Sequence, residues 1–165
     1  MGKNALVKLV NYSEATKEAR EVFDDIMKTR DTEFVNNVWR ALASYPPALK
    51  HFWENMKDVM LKPSRLDPLT KELIYLAVSI TNNCTYCINT HTAAARKKGL
   101  DDELLGELNE IVALANAGNR LVIGYQVPVD EVFASKQKAT PWKKPKTVKK
   151  IAKSAVKKAK AKKVK

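Results

Sequence analysis

From Ala15 to Tyr125 the apolar residues of this chain recur every three or four positions, and no run shows sustained alternation. That period suits the buried stripe of an α-helix and not a half-buried strand, so the spacing predicts an all-α fold. Ser13 is read as the N-cap of a first helix, which carries Ala15, Ala19, Val22, Phe23, Ile26 and Met27 on its stripe. A second helix is expected over 32–44 with Phe34, Val35, Val38, Trp39 and Leu42. It stops at Tyr45-Pro46-Pro47, because the residue before a proline is pushed out of the helical region. The prolines can open a third helix bearing Leu49, Phe52, Trp53, Met56, Val59 and Met60.

Further along, Asp67-Pro68 is a start signal, with Asp as N-cap and Pro at the first helical position. The helix it opens, over about 69–80, is mostly apolar in its second half and should be buried. Thr81-Asn82-Asn83 interrupts it. A new helix is expected to begin near Cys84 and end at Gly99, with Arg96, Lys97 and Lys98 complementing the dipole of its last turn. Asp101-Asp102-Glu103 starts a last stripe that runs through Ile111, Leu114, Leu121 and Tyr125 to Pro128. Gly118 within it argues against one unbroken helix.

The net charge of +12 is an average over two unlike regions. The last thirty residues, from Lys136 to Lys165, hold fourteen lysines and no acidic residue, so the remainder carries sixteen basic and eighteen acidic residues, a net of −2. The chain is therefore read as a helical domain over 1–135 and a disordered Lys/Ala-rich tail over 136–165, too charged and too poor in apolar surface to fold alone. Met1 to Val10 is broken by Lys8 and reads neither as a signal peptide nor as a membrane span, which makes the cytoplasm the expected compartment.

Chemistry is concentrated in Cys84-Thr85-Tyr86-Cys87-Ile88-Asn89-Thr90-His91, which holds the only two cysteines and one of the two histidines. On a helix His91 lies four residues after Cys87 and seven after Cys84, so the three share a face. A thiolate is the reactive form of cysteine, favoured by an imidazolium or a helix N-terminus. Cysteines three positions apart close too small a loop to staple a fold, which points to a dithiol that cycles in a reducing compartment. Glu72, twelve residues before Cys84, sits in the preceding apolar helix, either at a polar edge or turned toward the next helix. Against His91 it would orient the imidazole and favour its charged form. Two buried small hydrophobes are the plainer account of the cysteines. A zinc site would have only two thiols, His91 and Glu72 to draw on.

Glu72, Cys84, Cys87 and His91 at these intervals resemble the carboxymuconolactone decarboxylase superfamily, and within it the AhpD-like alkylhydroperoxidases. The likeness extends from Leu66-Asp67-Pro68 to Lys98-Gly99-Leu100, and Ala43-Ser44-Tyr45-Pro46-Pro47 is similar to the N-terminal region of the peroxidase-related members. It implies a helical subunit that assembles as a trimer or hexamer, with the CxxC at the start of a core helix. It also implies hydroperoxide reduction with no bound haem, flavin or metal, the redox centre being a Cys84–Cys87 disulfide. By the resemblance Cys87 attacks the peroxide, Cys84 resolves the sulfenic acid, and Glu72 and His91 move protons. A dithiol, in relatives a lipoyl group, reopens the disulfide. Tyr86 departs from members that have a histidine before the second cysteine, which shortens the relay.

The competing class is a non-catalytic helical oligomer, or a thiol–disulfide exchange protein, whose tail binds a polyanion. Lys143, Lys144, Lys149, Lys150, Lys157 and Lys158 would then contact nucleic acid without sequence preference. No amphipathic apolar face of the tail supports membrane insertion.

Overall fold

The computed structural model describes residues 5–134. The chain divides into two units, Met1–Leu121 and Val122–Lys165. Of the second, the described part is the end of the last long helix and a short helix over Glu131–Ala134. The basic segment over 136–165, with the six lysines named above, lies outside the described residues.

The described residues are helical and contain no strand, in agreement with the all-α expectation. A 3₁₀ turn over Tyr12–Glu14 leads into α1, Lys17–Arg30. Ser13 lies inside that turn, and the cap of α1 is Thr16, whose hydroxyl accepts from the Ala19 N–H at 3.3 Å. Asp31 ends α1 in the left-handed region at φ 49°. The second helix is shorter than expected. Thr32 turns its hydroxyl onto the Phe34 N–H instead of continuing, Asn36 is extended, and α2 spans only Asn37–Leu42.

Pro46 and Pro47 open α3, Pro46–Met56, which continues as a π-helical turn over Lys57–Leu61. α1 and α2 both pack on α3. Their shared core is Ala19, Val22, Phe23, Ile26, Trp39, Leu49 and Trp53, with the two indoles edge to face at 5.3 Å. Trp53 Nε1 donates to Asp25 at 2.7 Å, and Lys57 pairs with the same carboxylate.

Asp67 caps α4, Pro68–Thr81, accepting from the N–H groups of Leu69 and Thr70 at 3.1 and 3.0 Å. Asn82 and Asn83 break the chain, Asn83 at φ 54°, and α5 follows over Thr85–Lys97. Gly99, at φ 107°, adopts a conformation that favours glycine and turns the chain into α6, Asp102–Gly124. α6 runs unbroken through Gly118, whose surroundings are open and neither require nor forbid a side chain. α4 packs on α5 around Leu76, Ala95 and Leu100. The two layers are tied by the π turn against α4, by Lys71 Nζ donating to the Lys62 carbonyl at 2.8 Å, and by the Val38 N–H donating to Tyr86 Oη at 3.2 Å. No described helix is long and apolar enough to cross a membrane.

Candidate active site

The cap on Asp67 and the ring of Pro68 set the phase of α4, and one stripe of it is buried at Glu72, Leu76 and Ser79. Glu72 is only 4% exposed, so its carboxylate must be paired, and α5 supplies both partners. On α5 the residues Cys87, His91, Ala94 and Lys98 follow at intervals of four, three and four, which places them on one face. His91 Nδ1 lies 2.7 Å from Glu72 Oε2, and Lys98 Nζ holds Glu72 Oε1. Glu72 is thus turned toward the next helix, the second of its two expected positions.

Burial alone would push the Glu72 carboxyl up. The hydrogen bonds from His91 and Lys98, with the charges behind them, outweigh that and hold it below the ordinary carboxylate range. An ionised carboxylate can only accept, so the hydrogen of the pair sits on Nδ1 and Nε2 takes no part in it. Tyr75, one turn from Glu72 on α4, stacks on the imidazole at 3.6 Å and 19°. The ring is fixed in plane by Glu72 and against its face by Tyr75.

Cys84 and Cys87 are joined as a disulfide. Cys84 is the N-cap of α5, and its sulfur accepts from the Cys87 N–H at 3.3 Å. Both sulfurs lie at the positive end of the α5 dipole, where a thiolate is favoured on reduction. Cys87 and His91 open onto a cavity of about 230 Å³ whose other walls include Trp39, Phe52, Trp53, Met56 and Met60. Residues that α1–α3 bury as core therefore also form the apolar wall of the site. Cys84 and Cys87 both line a second cavity of about 380 Å³, with Val59, Met60, Leu66, Ile74 and Val78. Among the described residues no three His, Cys, Asp or Glu side chains converge as metal ligands.

All four candidate residues are thus brought to one place, while His51 stays on the exposed surface of α3. Sequence reasoning missed Lys98 as a partner of Glu72, having assigned it to the helix end. Its position seven residues after His91 on the same face was the available signal. Nothing local to the motif marks Tyr75, or the Tyr86–Val38 bond between two helices.

A buried Glu–His pair and a disulfide-bonded cysteine pair are thus carried by two packed helices. The family model of the carboxymuconolactone decarboxylase family matches residues 47–127. The crystal structure of the alkylhydroperoxidase AhpD core from Rhodospirillum rubrum superposes with a TM-score of 0.78 at 48% identity, covering 81% of this chain and 100% of that one. The chain belongs to the carboxymuconolactone decarboxylase family, on its AhpD-like side. Curated relatives are matched only in part. The uncharacterized protein 4 in the cox locus of Paracoccus denitrificans is 33% identical over 63 residues, 38% of this chain and 57% of that protein. The uncharacterized protein YdfG of Bacillus subtilis is 43% identical over 51 residues, 28% of this chain and 35% of that protein.

Proposed function

We propose that this chain is a thiol-dependent hydroperoxide reductase that cycles through the Cys84–Cys87 disulfide. The observation that carries the reading is the buried Glu72–His91 pair opening, with Cys87, onto one apolar-walled cavity. His91 takes the Cys87 proton through Nε2, and the thiolate attacks the terminal oxygen of the hydroperoxide. The S–O bond forms as the O–O bond breaks, so sulfur is oxidised to the sulfenic acid and the alkoxide leaves. His91 returns the proton to that alkoxide. Cys84 then attacks the Cys87 sulfur, forming the disulfide and releasing water.

A dithiol completes the cycle by giving two electrons and two protons, itself becoming a disulfide. Attack at Cys84 is supported by the second cavity, which both cysteines line and which is the one of the two that Cys84 reaches. Cys87 is then the leaving thiolate, beside His91. A lipoyl group, the reductant implied by the family resemblance, has the aliphatic arm that walls of Val59, Leu66, Ile74 and Val78 accept. Exposed apolar residues on α6, among them Ile111 and Leu114, support a homo-oligomer.

The test is a thiol count on the fully reduced protein before and after one equivalent of cumene hydroperoxide. Loss of both thiols far faster than free cysteine, reversed by dihydrolipoamide and abolished in Cys87→Ser, is the expected result. Slow loss in the unmodified protein would move the reading to disulfide exchange. Full peroxide turnover in Cys87→Ser would remove Cys87 from its role.

A further inference from the structure

Arg30 lines the cavity that holds Cys87 and His91, although it comes from the last turn of α1, a helix with no other part in the site. The other charged side chains on that cavity are committed to one another, Lys98 and His91 to Glu72. Among the described residues Arg30 has no carboxylate partner. Its Nη1 donates to the Asn36 side-chain oxygen, which occupies one of the five N–H donors of a guanidinium.

Asn36 is the second part of the arrangement. It stands at the N-cap of α2, where asparagine ordinarily turns its side-chain oxygen onto the helix's first N–H groups. Here it makes no such cap and gives that oxygen to Arg30. Local helix stability is forgone while the guanidinium is held at the cavity. Arg30 is exposed, as is Phe52 on the same wall, whereas Trp39 and Trp53 are 4% and 3% exposed. The cavity thus has an exposed cation and an apolar wall of Trp39, Phe52, Trp53 and Met56. The Cys87–His91 pair is set into the same cavity.

From this order we infer that the substrate is an organic hydroperoxide that also bears a carboxylate, of the fatty-acid hydroperoxide class, and that Arg30 binds the carboxylate. The inference rests on the peroxidase reading of the site above. The alkyl chain lies along the indoles, the guanidinium receives the anion in a charge-assisted, two-point hydrogen bond, and the O–O bond reaches Cys87. The hydroperoxide is reduced to the corresponding hydroxy acid by the same steps, with Arg30 taking no part in bond making.

The experiment compares linoleic acid hydroperoxide with its methyl ester on the full chain, with dihydrolipoamide as reductant and cumene hydroperoxide as a neutral reference. The acid is expected to exceed the ester in kcat/KM by roughly tenfold, chiefly through KM, the size of one partly exposed charge-assisted contact. In Arg30→Gln the acid-to-ester ratio falls to near one, and Arg30→Lys restores part of it. The ratio is read within one enzyme, so a general loss of activity in the variant cancels. Equal rates on acid and ester in the unmodified chain, with cumene hydroperoxide turned over, would overturn this inference and leave the peroxidase reading standing. A preference that survives Arg30→Gln would place the attraction elsewhere, on the lysine-rich terminus above all, and overturn it too. No turnover of any of the three would overturn the peroxidase reading and this inference with it.

Discussion

The α1–α3 layer and the α4–α5 pair bury different kinds of residue. The first encloses Phe23, Ile26, Leu49 and two tryptophans, and its buried residues are all apolar. The second has a thin apolar core of Leu76, Ala95 and Leu100, and alongside it buries Lys71, Glu72 and Ser79. Area removed from water stabilises, whereas a buried carboxylate stabilises little and survives only if every oxygen is matched. The first layer therefore holds the fold and supplies a wall, while the second gives up core to hold polar groups in place. Changes in the two should separate into effects on stability and effects on rate.

The sharpest break is Glu72→Gln. The amide is close to the carboxylate in size but cannot hold the imidazole through an ionised acceptor. Peroxide turnover should fall by about 10²–10⁴-fold, the usual worth of an acid–base partner, while the melting temperature changes by a few degrees. A loss of activity matched by wholesale unfolding would erase the division between the layers. The converse is Trp53→Ala, which empties the shared core and leaves Asp25 without its indole donor. It should cost about 3–5 kcal/mol in chemical denaturation, as large aromatic truncations do. Reduced protein that remains folded should keep an intact Glu72–His91 pair. That pair can be checked by the Nδ1 proton of His91, which the Glu72 carboxylate should still protect from exchange with solvent.

How much of this could be read from the chain follows the same division. Cys84, Cys87 and His91 were legible as one face because the asparagine break sets the phase of α5, whereas phase left Glu72 either at a polar edge or turned toward the next helix, and the packing of α4 on α5 decides between the two. α4 and α5 lie within one or two residues of their expected bounds because Asp67-Pro68 and the asparagine break mark them. α2 was overdrawn because Phe34 and Val35 carry the apolar period of a helix, while Asp31 and Thr32 make the local bonds that end α1 and keep the next residues extended. The cavity was hardly legible. Trp39, Phe52 and Trp53 come from other helices, and in a sequence they have the spacing of ordinary core. Lys98 was visible as a charge at a helix end, and only the packing of α4 against α5 shows that its charge is used on Glu72.

Lys98 supplies a smaller and more selective effect. It is one of the groups that keep the Glu72 carboxyl below its ordinary range, so Lys98→Met should let that carboxyl rise. Any acid limb of the peroxidase pH–rate profile that reports Glu72 should then move to higher pH, with little change on the plateau. Stability follows the same sign. A carboxyl whose folded value is depressed stabilises the fold above its unfolded value, and that contribution disappears as pH falls through the folded value. The unmodified protein should hold its Glu72 contribution to lower pH than Lys98→Met, read as the midpoint of acid unfolding. Coincident midpoints would show that His91 alone sets the carboxyl. Asp25, lowered by its bonds to Lys57 and Trp53, provides the matching titration in the other layer, and Lys98→Met should leave it in place.

The smallest expected effect tests the hinge on which the site's phase depends. Asn83 stands at φ 54°, between the last turn of α4 and Cys84, and its N–H donates to the Ile80 carbonyl at 3.1 Å. Asparagine enters the left-handed region at modest cost, glycine at almost none, and a β-branched residue only under strain. Asn83→Gly should therefore change stability by less than about 1 kcal/mol, gaining backbone ease and losing it again to the freer unfolded chain. Asn83→Val should cost about 1–2 kcal/mol. Because Cys84 follows directly, the strain of valine falls on the cap of α5 as well as on the break. Denaturation curves of the reduced and oxidised forms separate the two. If the break alone is strained, both forms lose the same amount. If the cap moves to relieve the strain, the oxidised form, whose Cys84 is held by the disulfide, relaxes less and loses more than the reduced one.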